Sequence, residues 1–136
     1  MRIAFASDDG DSVNTHFGQA ECFYLWDIGP DTALAVGKVV LAVDSEERED
    51  RIIARADVLS GCTLVYTTQI GGPAAAKLVG RHIQPVKTVN GTSIADAIVK
   101  LQNVLQGTPP PWLRKAMTLK TFETARQVPS VAIEMA

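Results

Sequence analysis

Residues 2–22, RIAFASDDGDSVNTHFGQAEC, decide how the chain folds, because an apolar run changes abruptly into a polar segment. The run at 2–7 is almost continuously apolar, which predicts a short strand covered on both faces of a sheet. The segment 7–22 holds neighbouring acids, a histidine, two glycines and a cysteine. Such a composition cannot build a core, because its polar groups must face water, a ligand or one another. We therefore expect the functional site in this segment.

Two strands and a helix are predicted directly after it. Residues 22–28 are aromatic and apolar, and Gly29-Pro30-Asp31 is a turn signal that leads into a second strand through Val43, so the two form a hairpin. A helix is predicted from Asp44, which has capping-box spacing to Glu47, up to Gly61. Its apolar face is formed by Ile52, Ile53, Ala56 and Leu59.

The second half alternates between strands and helices. Strands are predicted at 63–67 and 82–86, with a short helix between them at 73–79 and His82 as a structural residue that opens the later strand. The last helix follows 90–92 and has Ser93 and Asp96 at capping spacing. Its apolar stripe comprises Ile94, Ala97, Ile98, Leu101, Val104 and Leu105. Trp112 and Leu113 are expected to dock on the body of the domain.

This order predicts a mixed five-stranded sheet with helices on its faces, as in the ribonuclease-H-like arrangement. There the first and fourth strands are parallel neighbours whose carboxyl ends meet at a switch point, where ligands bind in open α/β sheets. The loop after Ser7 would then lie beside the loop 67–73, with Cys22 at the same end and Cys62 at the opposite end. Residues 1–107 form one domain in this interpretation, and 108–136 form a proline-rich segment and a tail, interpreted as helical or disordered past Pro129.

Composition restricts the function. The net charge is −2 and the pI about 5.6, which argues against a protein that binds nucleic acid. Two cysteines without CxxC spacing do not make a disulfide scaffold. The first residues are too short for an export signal, and no stretch is apolar enough to cross a bilayer. We therefore expect a soluble cytoplasmic protein.

Within the polar segment, His16-Phe17-Gly18 joins an imidazole to an apolar anchor and to a residue that can adopt positive φ. His16 and Cys22 have the chemistry to ligate iron, although a lone loop histidine is more often solvated and a lone cysteine more often packed.

Two further features of the predicted site have simpler structural explanations. Gly71 and Gly72 open a helix and could offer amides to an anion, or could form only a strand-to-helix turn. Asp8 and Asp9 could hold a cation, but adjacent acids in a turn more often bind the backbone.

The chain also resembles a known family. The stretches RIAFASDDG, VNTHFGQAECFYLWDI, GCTLVYTTQIGGPAAAKL, HIQPVK and LQGTPPPWL are similar, up to about residue 115, to the NifX-type family of small dinitrogenase iron–molybdenum cofactor biosynthesis proteins. That family also resembles the core domain of NafY and the carboxyl-terminal part of NifB. The chain after about Met117 departs from the pattern of the family.

The resemblance implies a ribonuclease-H-like fold without enzymatic activity. It implies a carrier or store for iron–sulfur precursors of the nitrogenase cofactor, such as the NifB cofactor, or for the iron–molybdenum cofactor itself. NifB, NifEN and apo-dinitrogenase would be the partners. The family's HFG motif falls on His16, Phe17 and Gly18, which makes His16 the implied cluster ligand. Its Gly-Gly turn falls on Gly71 and Gly72.

The sequence is compatible with three functional hypotheses, of which a cluster carrier is the first. A carrier needs few ligands, because a full set of cysteines would hold a cluster permanently. Cys22 is a second ligand on geometric grounds only, and a homodimer around one cluster would compensate for the small ligand number. The alternatives are a regulatory interaction module that holds no metal, and a divalent-metal nuclease, which Thr67-Thr68-Gln69 disfavours because no acid follows that strand.

Overall fold

The computed structural model describes residues 1–41 and 48–120. Five strands in this part form one mixed sheet in the order β4-β3-β1-β5-β6, in which β3 runs antiparallel to both of its neighbours and the other four strands run in one direction. The elements are β1 Arg2–Ala6, β2 Ser12–Val13, β3 Cys22–Ile28, β4 Ala33–Val40, α1 Arg48–Val58, β5 Leu64–Thr67, α2 Gly72–Gly80, β6 Gln84–Lys87, β7 Thr92–Ser93, α3 Ile94–Gln106 and α4 at 111–120.

The sheet confirms the predicted topology. β1 pairs in parallel with β5, the fourth long strand of the chain, and β3 and β4 form the predicted hairpin. The predicted capping box of Asp44 and Glu47 lies outside the described residues. The described part of the hairpin's second strand ends at Val40, three residues before the predicted end.

Helices cover both faces of the sheet, which explains why β1 is continuously apolar after its first residue, Arg2. Ala4 and Ala6 face a core that includes residues of α1 and α2, among them Ala56 and Leu78. Ile3 and Phe5 face the opposite core, which is formed by α3 and α4 and includes Ile94, Ile98, Leu101 and Leu113. None of the helices in the described part of the chain is both long and apolar enough to span a bilayer.

Helix α3 begins as predicted, because the Ser93 side chain accepts a hydrogen bond from the Asp96 amide. The predicted stripe is wrong at Val104, which is exposed near the end of the helix. Leu113 docks into the core as predicted, but Trp112 stays 47% exposed. The small sheet of β2 and β7 has no signal in the sequence, since each strand has only two residues.

His82 is not the first residue of a strand, as the sequence predicts, but the left-handed residue that follows Arg81, the C-cap of α2. Its φ is 60°, and its amide donates to the Val79 carbonyl while the Ile83 amide donates to the Leu78 carbonyl. These two bonds are those of a Schellman motif, in which a left-handed residue ends a helix. β6 therefore starts two residues later, at Gln84.

Candidate functional site

The turn that carries His16 is tied to the carboxyl end of β5 by long-range hydrogen bonds. The Phe17 amide donates to the Gln69 carbonyl at 2.8 Å, and the Thr68 amide donates to the Thr15 carbonyl at 3.2 Å. The Thr67 hydroxyl lies 3.0 Å from both of these carbonyl oxygens. The backbone on each side of His16 is therefore fixed, while its side chain stays exposed.

Phe17 anchors the same turn in the hydrophobic core. Its side chain is fully buried and its ring lies 5.8 Å from that of Phe23, centroid to centroid. Phe17–Gln19 form a 3-10 turn, and Gly18 does not use the positive φ that a glycine can adopt. A Cβ atom at Gly18 would meet nothing within 4 Å, which leaves no local steric reason for a glycine there.

His16 lines a cleft of about 570 Å³ at the carboxyl ends of β5 and β6. The other lining residues follow these two strands and are Thr68, Gln69, Lys87, Thr88, Val89 and Asn90. The cleft combines one imidazole, one cation and several neutral hydrogen-bonding groups, and no acid lies among the described residues that line it. This set suits an anionic ligand with a metal that accepts nitrogen, rather than a hydrated magnesium ion.

The sequence reasoning did not single out Lys87, Thr88, Val89 or Asn90. A signal for them was present, because they follow a predicted strand parallel to β5, and the carboxyl ends of parallel strands meet at one edge.

Cys22 lies at the predicted end of the sheet but in a different cavity, of about 490 Å³. Its thiol donates to the Ser7 carbonyl at 3.1 Å. Burial raises the pKa of the Cys22 thiol, against the opposing charge of Lys38, and Asp8 and Glu21 raise it further. Since the thiolate is the metal-binding form, these neighbours weaken Cys22 as a ligand.

Asp8 and Asp9 form the loop before His16, as expected of adjacent acids in a turn. The Asp9 carboxylate accepts hydrogen bonds from the amides of Asp11 and Ser12 at 2.8 and 3.1 Å, and these bonds lower its pKa. The Asn14 side chain donates to Asp8 at 2.6 Å. Both acids are therefore engaged within the loop rather than directed at the cleft.

The other predicted residues lie apart from His16. Gly71 is the N-cap of α2 and Gly72 its first residue; both are exposed, and neither lines the cleft. Cys62 is buried at the amino end of β5, where burial raises the pKa of its thiol to about 11. Within residues 1–41 and 48–120, no group of three or more His, Cys, Asp or Glu could hold a metal ion.

Known proteins are similar to this chain over most of its length. The family described as "Dinitrogenase iron-molybdenum cofactor" matches residues 1–104. Protein NifX of Herbaspirillum seropedicae is 37% identical over 119 residues, which cover 86% of this chain and 82% of that protein. Protein NifX of Azotobacter vinelandii is 30% identical over 135 residues, or 98% of this chain and 85% of that protein. The latter match extends into the tail, beyond the family resemblance seen in the sequence.

Two more similarities concern a longer relative and a solved structure. Protein NifY of Azotobacter vinelandii is 38% identical over 117 residues, which cover 86% of this chain but 48% of that protein. The crystal structure of PH0822 superposes with a TM-score of 0.62 at 26% identity, over 76% of this chain and 91% of that one. The mixed α/β architecture described above therefore occurs in a solved structure.

Proposed function

The chain belongs to the dinitrogenase iron–molybdenum cofactor family, and on that premise we propose that it is a carrier of iron–sulfur precursors of the nitrogenase cofactor, or of the cofactor itself. The proposal includes a ribonuclease-H-like fold without enzymatic activity. It places the protein in the cytoplasm. The cargo would pass between the NifB and NifEN assembly steps, and apo-dinitrogenase would be its final acceptor.

The observation that carries this proposal is the placement of His16. Its backbone is held by bonds to the loop after β5, and its exposed imidazole borders a cleft of about 570 Å³. A neutral imidazole nitrogen ligates iron, and Lys87 on the same cleft offers a positive charge to an anionic cluster. Gln69 and Asn90 add hydrogen-bonding groups that a cluster's sulfides can accept from.

The small number of ligands suits a carrier. Clusters that stay in a protein are typically held by four cysteine thiolates, whereas this cleft offers one imidazole from the described residues. A single ligand can be replaced by one from an acceptor protein, so the cargo can leave. A homodimer that shares one cluster between two His16 side chains would bind the cluster more tightly, with no ligand of another residue type.

The remaining predicted residues have supporting roles in the proposal. Phe17 and Gly18 set the turn that presents His16, and the amides at Gly71 and Gly72 supply positive potential at the same sheet edge. Cys22 is proposed as a second ligand. It is the weaker of the two, because it lies in the neighbouring cavity and its thiol is shifted toward the protonated form.

The test is anaerobic loading of the purified protein with the NifB cofactor, followed by gel filtration and iron analysis. We expect His16→Ala to lower the affinity about tenfold or more, since even the outer partners of metal ligands are worth that much. His82→Asn is the matched control, because asparagine is accepted at a left-handed helix cap and His82 lies at the opposite end of the sheet.

Unchanged iron binding in His16→Ala would remove His16 as the ligand. Absence of iron uptake by the wild-type protein, together with stable complexes with NifB or NifEN, would replace the carrier by an interaction module. Cleavage of a polynucleotide in the presence of magnesium would instead establish the nuclease alternative.

A further inference from the structure

Arg55 is a buried cation on α1 behind the His16 turn. The residue is 7% exposed. One terminal nitrogen donates to the Ala20 carbonyl at 2.8 Å and the other to the Arg51 carbonyl at 3.1 Å, while Nε is buried without a partner among the described residues. A guanidinium carries five N–H groups in a planar fork, so much of its donor capacity is unused.

A second feature of Arg55 is that it has no ion-pair partner in the part of the chain that the structure describes. Neither Arg55 nor Arg51 forms a salt bridge within residues 1–41 and 48–120. Burial lowers the pKa of Arg55, and the nearby charge of Arg51 lowers it further. A buried cation beside a like charge is unfavourable unless an anion is added.

The two arginines share a cavity of about 350 Å³ with Gly18, Gln19, Glu21 and Leu41. Arg51 donates to the Gly18 carbonyl at 2.9 Å, so it borders the same turn as Arg55. The 3-10 turn at Phe17–Gln19 separates this cavity from the cleft that His16 lines. The volume falls in the range of small-molecule sites.

We propose that this cavity is a binding site for a small oxyanion, of the class that carries carboxylate or phosphate groups. The planar guanidinium fork matches the two oxygens of such a group, and Nε of Arg55 supplies a donor that is already desolvated. Glu21 lines the same cavity and repels an anion, which keeps the affinity modest. His16 does not line this cavity, so the proposal does not require His16 to be a cluster ligand.

The test uses the apo-protein, titrated with inorganic phosphate and separately with citrate, at an ionic strength held constant with sodium chloride. Calorimetry and the melting temperature report binding. We expect saturable binding of at least one anion. Arg51→Gln should weaken it about tenfold, because a charged hydrogen bond is lost from a surface-accessible side chain. Glu21→Gln should strengthen it severalfold, because a repelling charge is removed.

Two controls separate this site from the His16 cleft. Lys87→Gln and His16→Ala locate the bound anion, because both residues line the other cleft. Loss of anion binding in either variant, with binding unchanged in Arg51→Gln, would place the anion in the His16 cleft and contradict the proposal. A preference for citrate identifies a carboxylate ligand and a preference for phosphate identifies a phosphate ligand; both support the site. Arg55→Lys keeps the charge and loses the fork, so it should also bind more weakly.

The proposal fails if neither anion saturates below about 10 mM, where a weak site would still fill. It also fails if Arg51→Gln and Glu21→Gln, with wild-type circular dichroism, bind as tightly as the wild type. The site is judged on these two variants if Arg55→Lys does not fold.

Discussion

The two histidines of this chain lie in exposed turns at opposite ends of the sheet, and the two turns are held in different ways. The His82 turn ends α2 through bonds to Val79 and Leu78, its near neighbours in sequence. The His16 turn is bonded instead to Thr67, Thr68 and Gln69, about fifty residues away. Both turns are followed by a fully buried apolar side chain, Phe17 in one and Ile83 in the other.

The difference separates a helix cap from a candidate site. The backbone of the His82 turn satisfies the last carbonyls of its own helix, which is the usual task of a left-handed residue after a helix. The His16 turn ends no helix. Its long-range bonds fix the position of an exposed imidazole relative to β5 and β6, which is the condition for a preorganised ligand site.

Substitution of the buried side chains in the two turns, Phe17 and Ile83, should have the largest effect on the free energy of unfolding. Phe17→Ala should lower the free energy of unfolding by about 3–5 kcal/mol, and Ile83→Ala by about 2–5 kcal/mol, because both side chains are fully buried. Phe17→Leu and Ile83→Val should each fold. Of these milder variants, only Phe17→Leu should lower iron loading, measured after gel filtration. Equal loading losses in both would end the distinction between site and cap.

The hydroxyls of two adjacent threonines test the ties of the His16 turn. Thr67→Val removes the hydroxyl that bonds the Thr15 and Gln69 carbonyls and should cost about 1 kcal/mol. Thr68→Val is the matched control: its hydroxyl is buried without a partner among the described residues, so valine should be neutral or stabilising by up to about 1 kcal/mol.

Urea unfolding of the two threonine variants, followed by circular dichroism, measures the difference in sign. A larger loss in Thr68→Val than in Thr67→Val would show that the Thr68 hydroxyl has a partner, such as an ordered water in the cleft. The His16 turn would then depend on the content of the cleft and not on β5 alone.

The sequence predicts the sheet better than the turns. The pairing of β1 with β5 is specified by the apolar run at Arg2–Ala6 and by the order of strands and helices. A strand that is buried on both faces must lie inside the sheet, and the rules for connections between strands leave few possible neighbours. From that pairing follow the positions of His16 and Cys22 at one end and of Cys62 at the other. The same rule extends to Lys87 and Asn90, which line the cleft but are not among the predicted site residues.

The conformations of single turn residues were not predictable in this way. Gly18 is compatible with positive φ but adopts a 3-10 turn, because Phe17 and the bonds to β5 determine the backbone there. A left-handed conformation is uncommon for any residue other than glycine, so the sequence carries no signal that His82 adopts one after the end of α2. Arg55 gave no signal, since a helix arginine is normally solvent-exposed and its burial depends on the packing of α1 on the turn.

The smallest expected effect is on the pH dependence of stability. It arises from one carboxylate near each end of the sheet. Hydrogen bonds from the Asp11 and Ser12 amides lower the pKa of Asp9 near the His16 turn, and the Arg2 side chain lowers the pKa of Asp27 at the His82 end. Each carboxylate stabilises the fold above its unfolded pKa, and this contribution is lost as the pH falls below about 4.

Asp9→Asn and Asp27→Asn should each make the urea midpoint lower at pH 7 and less dependent on pH below about 4. Because both side chains are exposed, each change should be small. Iron loading at neutral pH distinguishes them: Asp9→Asn loosens the loop that leads into the His16 turn and should lower it slightly, whereas Asp27→Asn should leave it unchanged. A loading loss in Asp27→Asn as large as in Asp9→Asn would mean that loading follows overall stability, and the two ends of the sheet would no longer differ in function.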